Sequence, residues 1–172
     1  ESVPVDPTTP FGHSLRHVEV VADDLARQSG ARSVKLRLAP LAGGEFPSPL
    51  ARLLAMPLVP VAALGQGSFC VLHVDDAARA FHSALRGDHR GPLNVVAPGT
   101  VTGSQAVRIG GGVAVPTFAL GWRFARLAAE VTGAPIPEHV RELLIRGRAA
   151  DGSMAHGLLG VPEHTTAEVL AA

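Results

Sequence analysis

Between Phe69 and Ala80 this chain passes from a strand into a helix with no loop between them, and that transition restricts its architecture more than any other stretch. Phe69-Cys70-Val71-Leu72-His73-Val74 is an apolar run of strand length, and Asp75-Asp76-Ala77-Ala78-Arg79-Ala80 continues it as an Ala-rich helix. Asp75 or Asp76 is expected to cap the helix over 77–85 by accepting its free amide hydrogens, a contribution of about 1 kcal/mol.

The rest of the chain supplies more such elements. A helix is expected over 10–27, where Val18, Val21, Ala22 and Leu25 recur at helical intervals and form one apolar face to bury. Gly30 ends it, and 33–40 reads as a strand with Val34, Leu36 and Leu38 alternating. A Pro/Gly turn follows at Pro40 to Gly44. Residues 49–55 form a short helix, and 58–64 an apolar run broken by prolines. Leu93 to Ala97 is a short strand closed by Pro98-Gly99, Thr102 caps a helix over 103–109, and 113–116 is an edge-like strand. Leu120, Phe124, Leu127, Ala128 and Val131 make one stripe of a helix over 119–131, and a further short helix spans 139–146. At the end of the chain, Thr165-x-x-Glu168 is a capping box.

Bulk composition excludes several classes. With 47% hydrophobic and 17% charged residues over 172 positions, the chain buries a real core and is not disordered. Fifteen basic and fifteen acidic residues cancel, so no nucleic-acid partner is expected from overall charge. The longest apolar run, 53–64, is too short for a bilayer and is interrupted by Pro57 and Pro60, so no membrane span is expected. The single cysteine, Cys70, fits a reducing, cytoplasmic setting, where it is expected to be buried. The chain opens at Glu1 with a polar, Pro-rich connector over 1–10, which reads as a sequence entered partway through.

Phe11, Leu15 and Glu19 lie four apart at the start of the first helix, with Gly12 and Ser14 among them. This segment resembles the Tyr-x-x-x-Lys-x-x-x-Glu helix of the extended short-chain dehydrogenase/reductases, the NAD-dependent epimerase/dehydratase family. Phe11 stands where that family has its catalytic Tyr, and Leu15 where it has its Lys. Arg37, Pro40 and Gly43 resemble a variant of the turn that passes the nicotinamide, with Ala42 in place of an aromatic residue. His73-Val74-Asp75-Asp76, the Thr102-capped helix and the Asp151-x-Ser153 helix closing in Leu159-Gly160 follow in the family's order, and together they cover nearly the whole chain from Pro10 to Leu170.

The resemblance implies an α/β fold: the carboxy-terminal part of a doubly wound Rossmann-like sheet plus a small substrate-binding lobe. It implies a single partial domain, with 1–10 as connector, 11–100 as the end of the Rossmann-like core with an intervening substrate-lobe segment, and 101–172 as substrate-lobe and terminal helices. Ser14, Ala39, Pro40, Gly43, Phe69 and His73 are then expected near substrate or cofactor. NAD or NADP is the implied cofactor, not held tightly by this chain alone. A small-molecule ligand, a missing amino-terminal Rossmann half and a homodimer through the first helix are the implied partners.

The catalytic positions are not intact. The family's chemistry needs an ionisable oxygen beside a cation, and Phe11 and Leu15 supply neither. The chain has no Tyr, and its only Lys, Lys35, lies in the strand over 33–40. Where nucleotide-sugar members often carry an Arg four residues before the His, this chain has Phe69, which cannot neutralise phosphate. Two functional classes remain: a portion of an NAD(P)-dependent oxidoreductase, and a binding, regulatory or structural protein on the same fold.

Other sites are declined. Gly65-Gln66-Gly67 and Gly110-Gly111-Gly112 read as turns, since neither stands between a strand and a following helix. His13 and His17 have metal-compatible helical spacing but no third ligand marked by position, and no metal is expected. Ser104 and Ser153 lack a Gly-x-Ser-x-Gly elbow.

Overall fold

The computed structural model describes residues 6–44, 48–118 and 137–171. The expected helix over 119–131 lies outside the described residues.

Helix α1, Pro10–Ser29, starts where Thr9 accepts a hydrogen bond from the Gly12 N–H at 3.1 Å, with proline at its first position. It stops at Gly30, whose φ of 69° is left-handed. Strand β1, Val34–Leu38, follows, then β2, Leu41–Ala42, and α2, Pro49–Leu54, capped by Ser48. Strand β3 is Leu58–Ala62, β4 Ser68–Phe69 and β5 Leu72–His73, which leads directly into α3, Val74–Arg86. Strand β6 is Gly91–Val95, β7 Val101–Thr102, α4 Gly103–Ile109 and β8 Val113–Thr117. Three helices complete the described chain: α5, Glu138–Arg146, α6, Ser153–Leu159, and α7, Thr166–Ala171.

Three strand pairs are parallel. β1 lies beside β6 with Val34 opposite Gly91 and Leu38 opposite Val95, β2 beside β5, and β3 beside β8; β4 and β7 are antiparallel. Parallel neighbours need crossovers, and the β1–β6 crossover contains α3. Both β3 and β8 contain a proline, Pro60 and Pro116, yet they pair over five residues. Only alternate N–H groups of a strand face a given partner, so a proline fits a strand bonded on one edge.

The alternation read from Val34, Leu36 and Leu38 is what builds one core. These side chains pack with Leu72, Ala77, Ala80, Leu93, Val95 and Ala155, joining β1, β5, α3, β6 and α6. A second cluster unites α2, β3, β4, α4, α5 and α7 around Val59, Val61, Phe69, Val107 and Leu144. Arg32 ties α1 and β1 to the far end of α3 by donating to the carbonyls of Ala84 and Leu85, each at 3.0 Å, and of Gly87, where the helix leaves carbonyls unpaired.

Two expectations need correction. The apolar face of α1 is not buried: no residue of the helix is, and Val18, Val21 and Leu25 are 62%, 42% and 59% exposed. Charge rather than hydrocarbon docks this helix on β1, as described below. The cap of α3 is also not an aspartate. The helix begins one turn earlier than expected, and His73 is the N-cap, its Nδ1 accepting from the Asp75 N–H at 3.2 Å. Asp76 sits inside the first turn and serves another segment.

Other local signals hold. Thr102 caps α4, and Gln105 completes a reciprocal capping box. The Thr165 N–H donates to Glu168 at 2.7 Å and the Glu168 N–H returns to Thr165 Oγ1 at 3.3 Å. Cys70 is buried. Among the described residues no helix is long and apolar enough to cross a membrane.

Candidate functional site

Two parallel ion pairs place α1 on β1. Glu19 accepts from Nε and an NH2 of Arg37 at 2.8 and 2.7 Å, and Asp23 accepts from Lys35 Nζ at 2.6 and 2.7 Å. Alternate residues of a strand share a face, as do residues four apart on a helix, so the two periods match over this length. The Glu19 carboxyl is held below its ordinary value chiefly by the hydrogen bond from Arg37, against a smaller opposing effect of burial.

The order of the pairs also sets direction. Residue 19 meets 37 and residue 23 meets 35, so the start of α1 runs toward the end of β1. Extending that register puts Leu15 level with Ala39 and Phe11 beyond it, at the carboxyl end of the parallel strands. Open α/β sheets take their ligands there. Phe11 and Leu15 are each 52% exposed at that end, and the Phe11 ring stacks on His139 of α5 with centroids 4.7 Å apart. A recess of about 220 Å³ lies between the start of α1 and α5, lined by Thr8, Thr9, Glu138, Arg141, Glu142, Ile145 and Arg146. Within it Glu142 accepts from Thr8 at 2.7 Å and from Arg146 at 3.2 Å, so its charge is already neutralised.

At positions 11 and 15 this end of the sheet presents hydrocarbon. Position 11 offers a phenyl ring, position 15 an isobutyl group, and the only lysine is committed to Asp23. Ser14 is exposed on α1 and donates back to the Pro10 carbonyl at 3.1 Å. The Ala39 N–H donates to Val95 and the Pro40 carbonyl accepts from Leu72, so both serve the sheet. Phe69 is wholly buried in the second core rather than facing a cleft.

Gly43 and His73 do come together. Gly43 has φ +91°, and a Cβ built on it would lie 2.1 Å from the His73 ring. His73 stacks on His164, centroids 4.3 Å apart, and His164 Nδ1 lies 2.9 Å from Asp76. Asp76, 3% exposed, also accepts from the Glu163 N–H at 2.8 Å, the His164 N–H at 3.3 Å and Arg79. Burial pushes the Asp76 carboxyl up, but these donors together outweigh it and hold the pKa below the ordinary value. Sequence reading assigned no part to His164 or His139, because nothing in their local sequence marks a partner about 90 or 130 residues away.

The larger cavity is elsewhere. A groove of about 560 Å³ runs between α3 and α6, lined by Ala80, Val95, Ala155, Leu159 and Pro162 and also by Asp76, Arg79 and Glu163 of the cluster just described. Asp76 and Arg79 of this groove are paired with each other, whereas the strand-end crevice has a positional reason to hold ligand.

No family model matches the chain. An uncharacterised protein of Mycobacterium tuberculosis strain H37Rv is 32% identical over 135 residues, covering 77% of this chain and 36% of that protein. An uncharacterised protein of Mycobacterium bovis matches equally. The chain thus spans about a third of the length of these relatives. Among solved structures, dTDP-glucose 4,6-dehydratase from Bacillus anthracis with NAD superposes at a TM-score of 0.70, 15% identical over 99% of this chain and 52% of that one. UDP-glucuronic acid 4-epimerase from Bacillus cereus with NAD gives 0.68 and 18%, over 100% and 53%. RMD from Pseudomonas aeruginosa with NADPH gives 0.66 and 18%, over 99% and 55%. The fold is therefore the α/β, Rossmann-like one of these structures, and the chain spans about half of each.

Proposed function

We propose that this chain is the carboxy-terminal, substrate-side portion of an NAD(P)-dependent epimerase/dehydratase-like protein, and that it binds ligand without performing the Tyr/Lys proton transfer. The observation that carries the reading is the α1 register. Glu19 keeps its pairing with Arg37, and the same stripe carries Phe11 and Leu15 to the carboxyl end of β1.

The dinucleotide does not fit the residues present. Among the described residues no strand leads through a Gly-x-Gly-x-x-Gly turn into a helix, so nothing here presents a row of amide N–H groups to a pyrophosphate. Leu15 cannot hold a ribose hydroxyl. An upstream half would supply that cradle. β6 is the only described strand partner of β1, and the other edge of β1 is where a strand of that half would pair. The exposed stripe of α1 would then be shared between that half and a second copy of the chain.

The direct test uses the full-length protein. NAD(P)H fluorescence measures cofactor binding, and absorbance at the nicotinamide band measures hydride transfer to sugar nucleotides and simple ketones. The expected result is cofactor binding with no hydride transfer, and transfer gained on combining Phe11→Tyr with Leu15→Lys. Turnover by the unaltered protein that survives Phe11→Ala would overturn the reading. Cofactor binding with no gain in the double variant would favour the second reading, a binding or regulatory protein on the same fold, which the hydrocarbon at positions 11 and 15 also supports.

A further inference from the structure

We propose that His73 makes the start of α3 sensitive to pH: its imidazole caps the helix only while neutral, and protonation between about pH 8 and 5 releases the cap. The inference does not depend on the hydride-transfer scaffold. It stands on two stacked imidazoles that need opposite protonation at the same ring atom, Nδ1.

His164 must carry a hydrogen at that atom. Its Nδ1 faces Asp76 at 2.9 Å, and a carboxylate only accepts, so the ring donates. A charged His164 donates in the same way as a neutral one, and its bond to Asp76 survives acid until the carboxylate itself is protonated. His73 must carry none. Its Nδ1 accepts at 3.2 Å from the Asp75 N–H, a donor that the first turn of α3 leaves without an intrahelical partner. A proton taken from solvent onto that atom removes the acceptor, and the cap is lost. The usual cap residues, Ser, Thr, Asp and Asn, keep their acceptor across this range of pH; a histidine cap does not.

Charge acts in the same direction. A protonated His73 puts a cation at the positive end of the helix dipole, with the His164 ring stacked on it at 4.3 Å between centroids. Asp75 Oδ2 lies 3.6 Å from His73 Nδ1 and attracts the new N–H, and turning the ring to that carboxylate takes Nδ1 away from the amide. The other charged groups around the pair, among the described residues, are already engaged. Asp76 receives Arg79 and the N–H groups of Glu163 and His164, Glu163 pairs with Arg79 at 3.1 Å, and Glu168 of α7 is bonded to Thr165. Gly43 brings no charge, but its backbone packs on the His73 ring, which a Cβ there would meet at 2.1 Å. Movement of that ring therefore frees the turn after β2 together with the start of α3.

The test is an NMR titration of the unaltered chain, with thermal melts at about pH 8 and about pH 5.5, either side of the imidazole range. The Asp75 amide and the His73 ring should move with one midpoint. The melting temperature should drop by about 2–4 °C at the lower pH, the shift expected from one lost cap in a chain of this size. H73N keeps a capping acceptor that does not titrate and should remove that drop. H164Q keeps a donor toward Asp76 and should leave it in place. An Asp75 amide that fails to follow the His73 ring would overturn the proposal, and this readout needs no variant to fold. A drop that persists in full in H73N, or that disappears only in H164Q, would overturn it as well.

Discussion

Gly43 and Asp76 show how single positions carry the arrangement at the strand ends. Gly43 needs both a left-handed φ and an empty Cβ position, because the His73 ring lies where a methyl group would be. Gly43→Ala should therefore destabilise the chain by about 2 kcal/mol or more, read as a lower denaturant midpoint, with the His73 environment altered by NMR. Asp76 binds the start of α3 to residues 163 and 164 from a buried position. Asp76→Asn keeps the shape but loses charge-assisted bonds, and should cost about 2–3 kcal/mol. Glu19 and Asp76 both have lowered pKa values. A carboxylate with a lowered folded-state value contributes stability that is complete above its ordinary value near 4 and is lost as pH falls through the folded value. Stability should thus decline below about pH 4, and Asp76→Asn should flatten that decline.

Helix α1 is where the residue pattern and the packing part company. Its apolar positions suggest a face pressed on a core, yet its described contact with β1 is the ladder of Glu19–Arg37 and Asp23–Lys35. Helical period alone says which residues share a face, but not which face meets the neighbour. Combining Glu19→Gln with Asp23→Asn should loosen α1 at a cost of about 1–2 kcal/mol, and amide exchange should rise in α1 while α3 stays protected. If exchange in α1 does not change, the ladder is not what holds the helix. For α3 the lesson is different: the helix was legible from Ala77 to Leu85, but its cap was misplaced because a histidine just ahead of it reached the amide first.

For the whole molecule, two apolar cores are described and a third surface remains. Phe11, Leu15, Val18 and Leu25 stand exposed on one helix, and β1 has one described strand neighbour. Placing lysine at Val18 and Leu25 should leave stability within about 0.5 kcal/mol, since neither side chain is buried. The same change should reduce self-association in sedimentation velocity, and an unchanged sedimentation profile would argue against α1 as a surface shared between copies. Adding the upstream half should protect β1 amides from exchange.

What the sequence alone determined were the features set by neighbours along the chain. The strand running into α3, the alternation of Val34, Leu36 and Leu38, the Thr102 and Thr165 caps and the loss of ionisable groups at Phe11 and Leu15 all depend on periodicity or residue type within a few positions. What only the tertiary structure decided were the meetings of distant residues. His139 stacks on Phe11, His164 on His73, Asp76 reaches residue 163, and Phe69 goes to the core rather than a cleft. Local patterns tell a side chain which face it shares; only the packing of elements far apart in sequence tells it what lies across that face.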